Sequence, residues 1–175
     1  MARRTFLWQA MVAMGCLSGC AGYRWGNETL YRTDIRTVHV PIFQSDSYRR
    51  FLAEWLTEAV IKEIELTTPY KVVGAGEADS VLIGRIVRDE KQIVAEDKYD
   101  VPRNIDAKLL VEVRWQNSSG NLFGNAAMVP LPDAALQIAE ASTFLPEFGQ
   151  SLTTAQEKVV VELAQHIVGQ MENPW

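Results

Sequence analysis

The chain has 175 residues, 47% hydrophobic and 22% charged, with 17 basic residues against 22 acidic and a formal net charge of −5. With no run of five or more basic residues, it lacks the clustered Lys and Arg by which proteins neutralise nucleic-acid phosphates. Its two cysteines both lie within the first 20 residues, so the remainder of the chain has no material for a disulfide framework or a thiolate metal site.

The N-terminus reads as an export signal: Arg3 and Arg4, then an apolar run from Phe6 to about Gly15. About ten residues is too short for a helix to cross a bilayer of about 30 Å. The run ends in Leu17-Ser18-Gly19-Cys20, which resembles the bacterial lipobox. That resemblance implies that the Cys20 thiol receives a diacylglyceryl group, that residues 1–19 are cut away, and that the new amine is acylated. A plain secretory signal with a chance cysteine is the simpler alternative, but it leaves the full four-residue match unexplained. Removal of residues 1–19 leaves 156 residues, a length suited to one domain, and takes the formal charge to −7. No later apolar segment approaches the 18 residues of a membrane span.

Residues 20–33 have no apolar period and read as a lipid-anchored tether that docks in part through Tyr23 and Trp25. Residues 34–172 read as a single domain. It opens with a half-buried strand over Asp34–Phe43, in which Val38, Val40 and Ile42 alternate with polar neighbours and Pro41 blocks pairing on one side. Ser47 offers an N-cap for an amphipathic helix over Tyr48–Glu65, whose Leu52, Trp55, Leu56, Ala59, Val60 and Ile64 recur every three or four residues. Thr67-Thr68-Pro69 ends it.

A short strand over Tyr70–Val73 and a glycine-rich turn lead to Val81–Val87, which is apolar at both parities and reads as a central strand. Arg88–Asp97 continues it as a charged hairpin arm. A second long strand covers Ile105–Gln116, with Ala107, Leu109, Val111, Val113 and Trp115 facing one way and Lys108, Glu112 and Arg114 the other. After the turn at Asn117–Asn121, Leu122–Val129 reads as a returning strand. Pro130–Gln150 resists assignment beyond a strand near Ala141–Leu145. Thr153 or Thr154, with Gln156 or Glu157, suggests a capping box for a last helix on which Ala155, Val159, Leu163, Ile167 and Met171 form the apolar stripe. The sum is an α+β two-layer sandwich: a mostly antiparallel sheet of four or five strands with both helices on one face.

Little of this suits catalysis. His39 and His166 have no histidine or cysteine at ligand spacing. Gly74-Ala75-Gly76 precedes a strand, not the helix a phosphate-cradling loop needs. Asp97 and Asp100 could be put forward as a carboxylate pair, but nothing local fixes their geometry. No catalytic residue, metal or cofactor is expected.

Several runs together carry a family resemblance: Cys20-Ala21-Gly22-Tyr23-Arg24, Ile35-Arg36-Thr37-Val38-His39-Val40-Pro41-Ile42-Phe43, Tyr70-Lys71-Val72-Val73, and Glu77-Ala78-Asp79-Ser80-Val81-Leu82-Ile83-Gly84. The order of a cysteine-glycine-tyrosine tether, a valine-proline-phenylalanine strand, an alanine-aspartate turn and a leucine-x-glycine strand resembles the lipopolysaccharide-assembly lipoprotein family, LptE. Ala21 is one residue more than the family's tether usually has. The resemblance implies a non-enzymatic lipoprotein at the periplasmic face of the outer membrane. Such a protein plugs the lumen of the LptD β-barrel, assists its folding and binds lipopolysaccharide. Only Cys20 is carried over as a functional residue, as the lipidation site.

Two surfaces fit those partners. Val81, Ile83 and Val87 lie opposite the core parity of Leu82, Gly84 and Ile86, and Leu110 lies opposite Leu109 and Val111. With Lys108 and Arg114 they outline a barrel interface. The alternative is that Pro130–Gln150 covers them. Arg85, Arg88, Lys91, Lys98 and Arg103 gather in sequence around the arm, where they suit lipopolysaccharide phosphates. The alternative is a solvated hairpin with Asp89, Glu90, Glu96, Asp97 and Asp100 interleaved. Competing functions are another envelope lipoprotein adaptor, such as a cell-wall enzyme activator or secretion-complex subunit, and a lipid-anchored hydrolase.

Overall fold

Leu82, Gly84 and Ile86 on one strand face Trp115, Val113 and Val111 on the next, and these cross-strand pairs form the centre of the molecule. The computed structural model describes residues 30–123 and 136–172. In chain order come β1 (Thr37–His39), β2 (Gln44–Ser45), α1 (Leu52–Thr67), β3 (Lys71–Val72), β4 (Ser80–Glu96), β5 (Pro102–Asn117), β6 (Leu136–Phe144), a 3-10 turn (Pro146–Phe148) and α2 (Leu152–Gly169). The strands form one sheet in the order β3-β1-β4-β5-β6, with β2 beside β4.

The expected α+β architecture is present, with a mixed sheet. β4, β5 and β6 form an antiparallel meander, while β1 lies parallel to β3 and β4, and β2 parallel to β4. α1 is the crossover that parallel pairing of β1 with β3 requires. Leu52, Leu56, Val60 and Ile64 of α1 and Val159, Leu163 and Ile167 of α2 meet Leu82, Ile86, Leu109 and Val111 in one buried cluster, so both helices cover the same sheet face. Each of these side chains contributes about 1.5–3 kcal/mol by leaving water.

The first strand is shorter than its alternation suggests. β1 stops at His39, and Ile42 is 69% exposed while Phe43 turns inward. Pro41 has no N–H for a ladder bond, so the chain breaks there and resumes as β2 in a shifted phase. Phe43 is fixed by its N–H, which donates to Thr57 Oγ1 at 3.0 Å, and its ring lies against Gly84, where a methyl group would overlap it. At the start of β4, Asp79 accepts the backbone N–H groups of Arg36 and Thr37, each at 3.0 Å. Those bonds hold its carboxyl below the ordinary value. The valine-proline-phenylalanine and leucine-x-glycine runs thus meet in space, and the alanine-aspartate turn ties β1 to β4.

Helix ends also differ from expectation. α1 begins at Leu52, after Phe51 in the left-handed region at φ 66°, and not at Tyr48. Ser47 does not cap it, because its hydroxyl donates to Asp89 at 2.9 Å and accepts the N–H of Arg49. α2 is capped by Ser151, whose Oγ accepts the Thr154 N–H at 3.2 Å, two or three residues before the expected threonines. Ser151→Ala is therefore expected to cost about 1 kcal/mol, read as a lower urea midpoint at unchanged slope.

The partner of β5 is β6, not Leu122–Val129. Leu122 makes a single bridge to Gln116, and residues 124–129 of that expected strand lie outside the described residues. The docking expected of Tyr23 and Trp25 likewise lies outside them. Tyr31 docks the incoming chain: it is buried, bridges to Glu172 and leads an aromatic series through Tyr70 and Trp115 to Phe123. Trp115 Nε1–H donates to the buried Ser80 hydroxyl at 3.1 Å. Beyond Ile86, β4 and β5 run on as a hairpin arm. With 17 residues in β4, the arm tip stands about 50 Å from this aromatic end.

Candidate lipid and partner interface

The sheet face turned away from the helices is set by β4–β5–β6 register. Val81 opposes Gln116, Ile83 opposes Arg114, Arg85 opposes Glu112, Arg88 opposes Leu110, and Glu90 opposes Lys108. Ala139 and Ala141 of β6 continue the rows of Leu110 and Lys108. Val81, Ile83, Lys108, Leu110 and Arg114 therefore share one face with Arg85 and Arg88, and each is half-buried or exposed. Val87 stands apart from this pattern at a bulge between Ile86 and Arg88, where one extra residue on β4 shifts its phase. Residues 136–150 do not cover the face: they form β6, the 3-10 turn and the approach to α2. Residues 130–135 of the proposed cover lie outside the described residues.

The five arm cations do not form one cluster. Arg85 is held by Asp46 at 2.7 Å, which raises the guanidinium pKa. Arg88 lies 3.4 Å from Glu90. Lys91 opposes Ala107, whose side chain is buried on the helix side, so Lys91 belongs to the other face of the arm. Lys98 lies in the turn, its ammonium 4.8 Å from the centre of the Tyr99 ring. Arg103 bonds Asp97 at 2.9 Å and Glu147 in the 3-10 turn. By contrast, Lys108 donates to the neutral amide of Gln92 at 2.6 Å, and Arg114 has no ion pair among the described residues. Among the described residues, the cations on this sheet face that no carboxylate holds are Lys108 and Arg114, beside Leu110 and Ile83.

The arm tip adds an apolar feature that charge counting in the sequence overlooks: Ile93, Val94, Tyr99 and Val101 are all exposed. The signal was an apolar pair, Ile93-Val94, inside an otherwise charged run. Asp97 holds the turn by accepting the N–H groups of Tyr99 at 2.7 Å and Val101 at 3.1 Å. Those backbone bonds, with Arg103, lower its carboxyl pKa. The stabilisation is complete above the ordinary value of 3.8 and is lost as pH falls through the lower, folded value. Amide-exchange protection of Tyr99 and Val101 is expected to fall below about pH 4 while the Leu109 and Val111 amides stay protected. Asp97→Asn should loosen the turn already at pH 7.

The histidines have structural partners. His39 Nδ1 lies 3.1 Å from the Val73 carbonyl, and His166 meets Glu140. Among the described residues no group of three or more His, Cys, Asp or Glu is placed to hold a metal ion, and no helix is long and apolar enough to cross a membrane.

Residues 35–172 match the profile of the LptE lipopolysaccharide-assembly family. No curated protein matches the chain by sequence. Among solved structures, the chain is similar to a lipoprotein B from Nitrosomonas europaea, at 14% identity and a TM-score of 0.54, covering 85% of this chain and 89% of that one. It is also similar to protein XCC0632 from Xanthomonas campestris, at 11% identity and a TM-score of 0.53, covering 82% and 86%. At such identities the likeness to these two is one of fold. The profile match takes in every element from β1 to α2, including the Phe43–Gly84 contact and the Asp79 clamp. The chain belongs to the LptE family of lipopolysaccharide-assembly proteins.

Proposed function

We propose that the protein is a lipoprotein held at the periplasmic face of the outer membrane through Cys20, where it plugs an LptD-like β-barrel, assists its assembly and binds lipopolysaccharide without catalysing a reaction. Membership in a non-enzymatic assembly family supports the reading at its broadest. The observation that carries the finer one is the sheet face that the described residues leave uncovered, where Ile83, Leu110, Ala139 and Ala141 offer apolar contact beside Lys108 and Arg114. A lipid that is both acylated and phosphorylated asks for that combination. The eleven-residue step from Cys20 to Tyr31 lets the domain stand at most about 40 Å from its anchor.

Photo-crosslinkers placed at Ile83 and Leu110 in intact cells are expected to trap a large β-barrel and lipopolysaccharide. The same label at Lys158, exposed on the helix side, serves as the control for this face. Lys108→Glu combined with Arg114→Glu should lower lipopolysaccharide retention by about tenfold, the loss of one to two charge-assisted contacts. Equal labelling from both faces, or retention unchanged by the double reversal, would remove this surface from the mechanism.

A further inference from the structure

We infer that the groove between α1 and α2, on the side of the molecule away from the sheet, docks a cationic amphipathic helix of a partner protein. The groove encloses about 540 Å³ between the two helices. Its apolar lining is Trp55, Ala59 and Leu66 of α1 with Val160, Val161 and Ala164 of α2. Three of these are large and left in water: Trp55 is 42% exposed, Val161 46% and Leu66 80%. A contiguous patch of this kind is unusual on a surface that has no partner.

Shape and charge select the occupant. On α1 the lining recurs at Trp55, Glu58, Ala59, Lys62, Glu63 and Leu66, the spacing of one helix face. From Trp55 to Leu66 that face measures about 16 Å, three helical turns. α2 runs in the same direction beside it: the residues just before α1 meet Asp89 and the start of α2 packs on Ile105 and Phe144 at the arm, while the chain after α2 reaches Tyr31 at the far end. Two parallel walls of that length accept a third helix laid between them by its apolar face.

The walls carry Glu58, Glu63 and Glu157 against one cation, Lys62, which lies 3.6 Å from Glu58. Their excess negative charge repels phosphate-bearing lipid and favours a segment with Lys or Arg flanking its apolar stripe. The two faces of the molecule are thus charged for different partners: the helix side for a basic protein segment, the sheet side for an anion. This inference stands independently of lipid binding at the sheet.

The test uses the full-length lipidated protein in detergent and in cells. In detergent the probe is a synthetic amphipathic Leu/Lys helical peptide, compared with its Leu/Glu counterpart and with a scrambled Leu/Lys peptide. The amphipathic cationic peptide is expected to bind about tenfold more tightly than either. Glu63→Lys with Glu157→Lys, the first half-buried and the second exposed, should abolish that preference in a chain that remains folded. In cells, photo-crosslinkers at Leu66 and Val161 in the otherwise native chain should label one protein segment that is amphipathic and net positive when mapped. Equal binding of the scrambled peptide, insensitivity to the charge reversal, labelling of lipid or of an acidic segment, or absence of any adduct would each overturn the inference. Because the crosslinking arm leaves the wall charges intact, a charge-reversed variant that fails to fold does not blunt the test.

Discussion

Gly84→Val is expected to destabilise the domain by about 3 kcal/mol or more, the upper range for forcing extra carbon into a packed core. The site is buried in the central strand, and even a single methyl group there would overlap the Phe43 ring. That ring has little freedom to retreat. Its backbone N–H is bonded to Thr57 Oγ1, which in turn donates to the Ala53 carbonyl at 2.7 Å inside α1. Against a total stability of about 5–15 kcal/mol for a natural domain, the loss should appear as a large drop in urea midpoint and in yield. The decisive measurement is a double-mutant cycle with Phe43→Ala. The small side chain at 43 should recover much of what valine at 84 costs, giving a coupling above about 1 kcal/mol. Additive losses would mean that the two positions do not press on each other.

Cys20→Ser is expected to release the protein from the membrane fraction almost completely. A single acyl chain gives a partition constant of only about 10⁴ M⁻¹, and each further buried methylene contributes about 0.8 kcal/mol, so the three chains proposed at Cys20 would hold the protein far more tightly than one. Serine cannot take the thioether-linked diacylglyceryl group, and no later segment of the sequence offers an apolar span in its place. Fractionation of cells carrying the variant should find the product among the soluble proteins. A variant that remains in the outer membrane at the wild-type level would show that adhesion to a barrel, not acylation, sets its location.

The elements legible in the sequence are those whose burial pattern is local. Leu82 and Ile86, or Leu109, Val111 and Val113, announce their core face by parity alone, and Val159, Leu163 and Ile167 announce theirs by helical spacing. β6 is hard to see because two of its five helix-facing positions are polar. Ser142 is buried opposite Ala107, and Glu140 turns to His166, so the alternation of Leu136, Ile138 and Phe144 is interrupted. Parallel pairing of β1 is hidden for another reason, since the carboxylate that secures it, Asp79, lies about forty residues away along the chain.

On the candidate interface, parity correctly groups Val81, Ile83, Lys108, Leu110 and Arg114 on one face. It fails for the arm cations wherever bulges near Val87 and Val94 change which way the next side chain points. Closeness in sequence therefore overstates how near Arg85, Lys91 and Arg103 lie to one another. Ion pairs are equally invisible: nothing near Arg85 or Arg103 in the sequence indicates that Asp46 and Glu147 will hold them.

The bridge between Tyr31 and Glu172 brings the two ends of the folded domain side by side. A reporter fused after Glu172 would thus sit next to the start of the proposed lipid tether, whereas a peptide epitope inserted between Lys98 and Tyr99 would ride at the opposite extremity, about 50 Å away. Protease or antibody access to those two labels, scored on whole cells and on opened ones, would report which way the molecule is oriented without altering any side chain of its core.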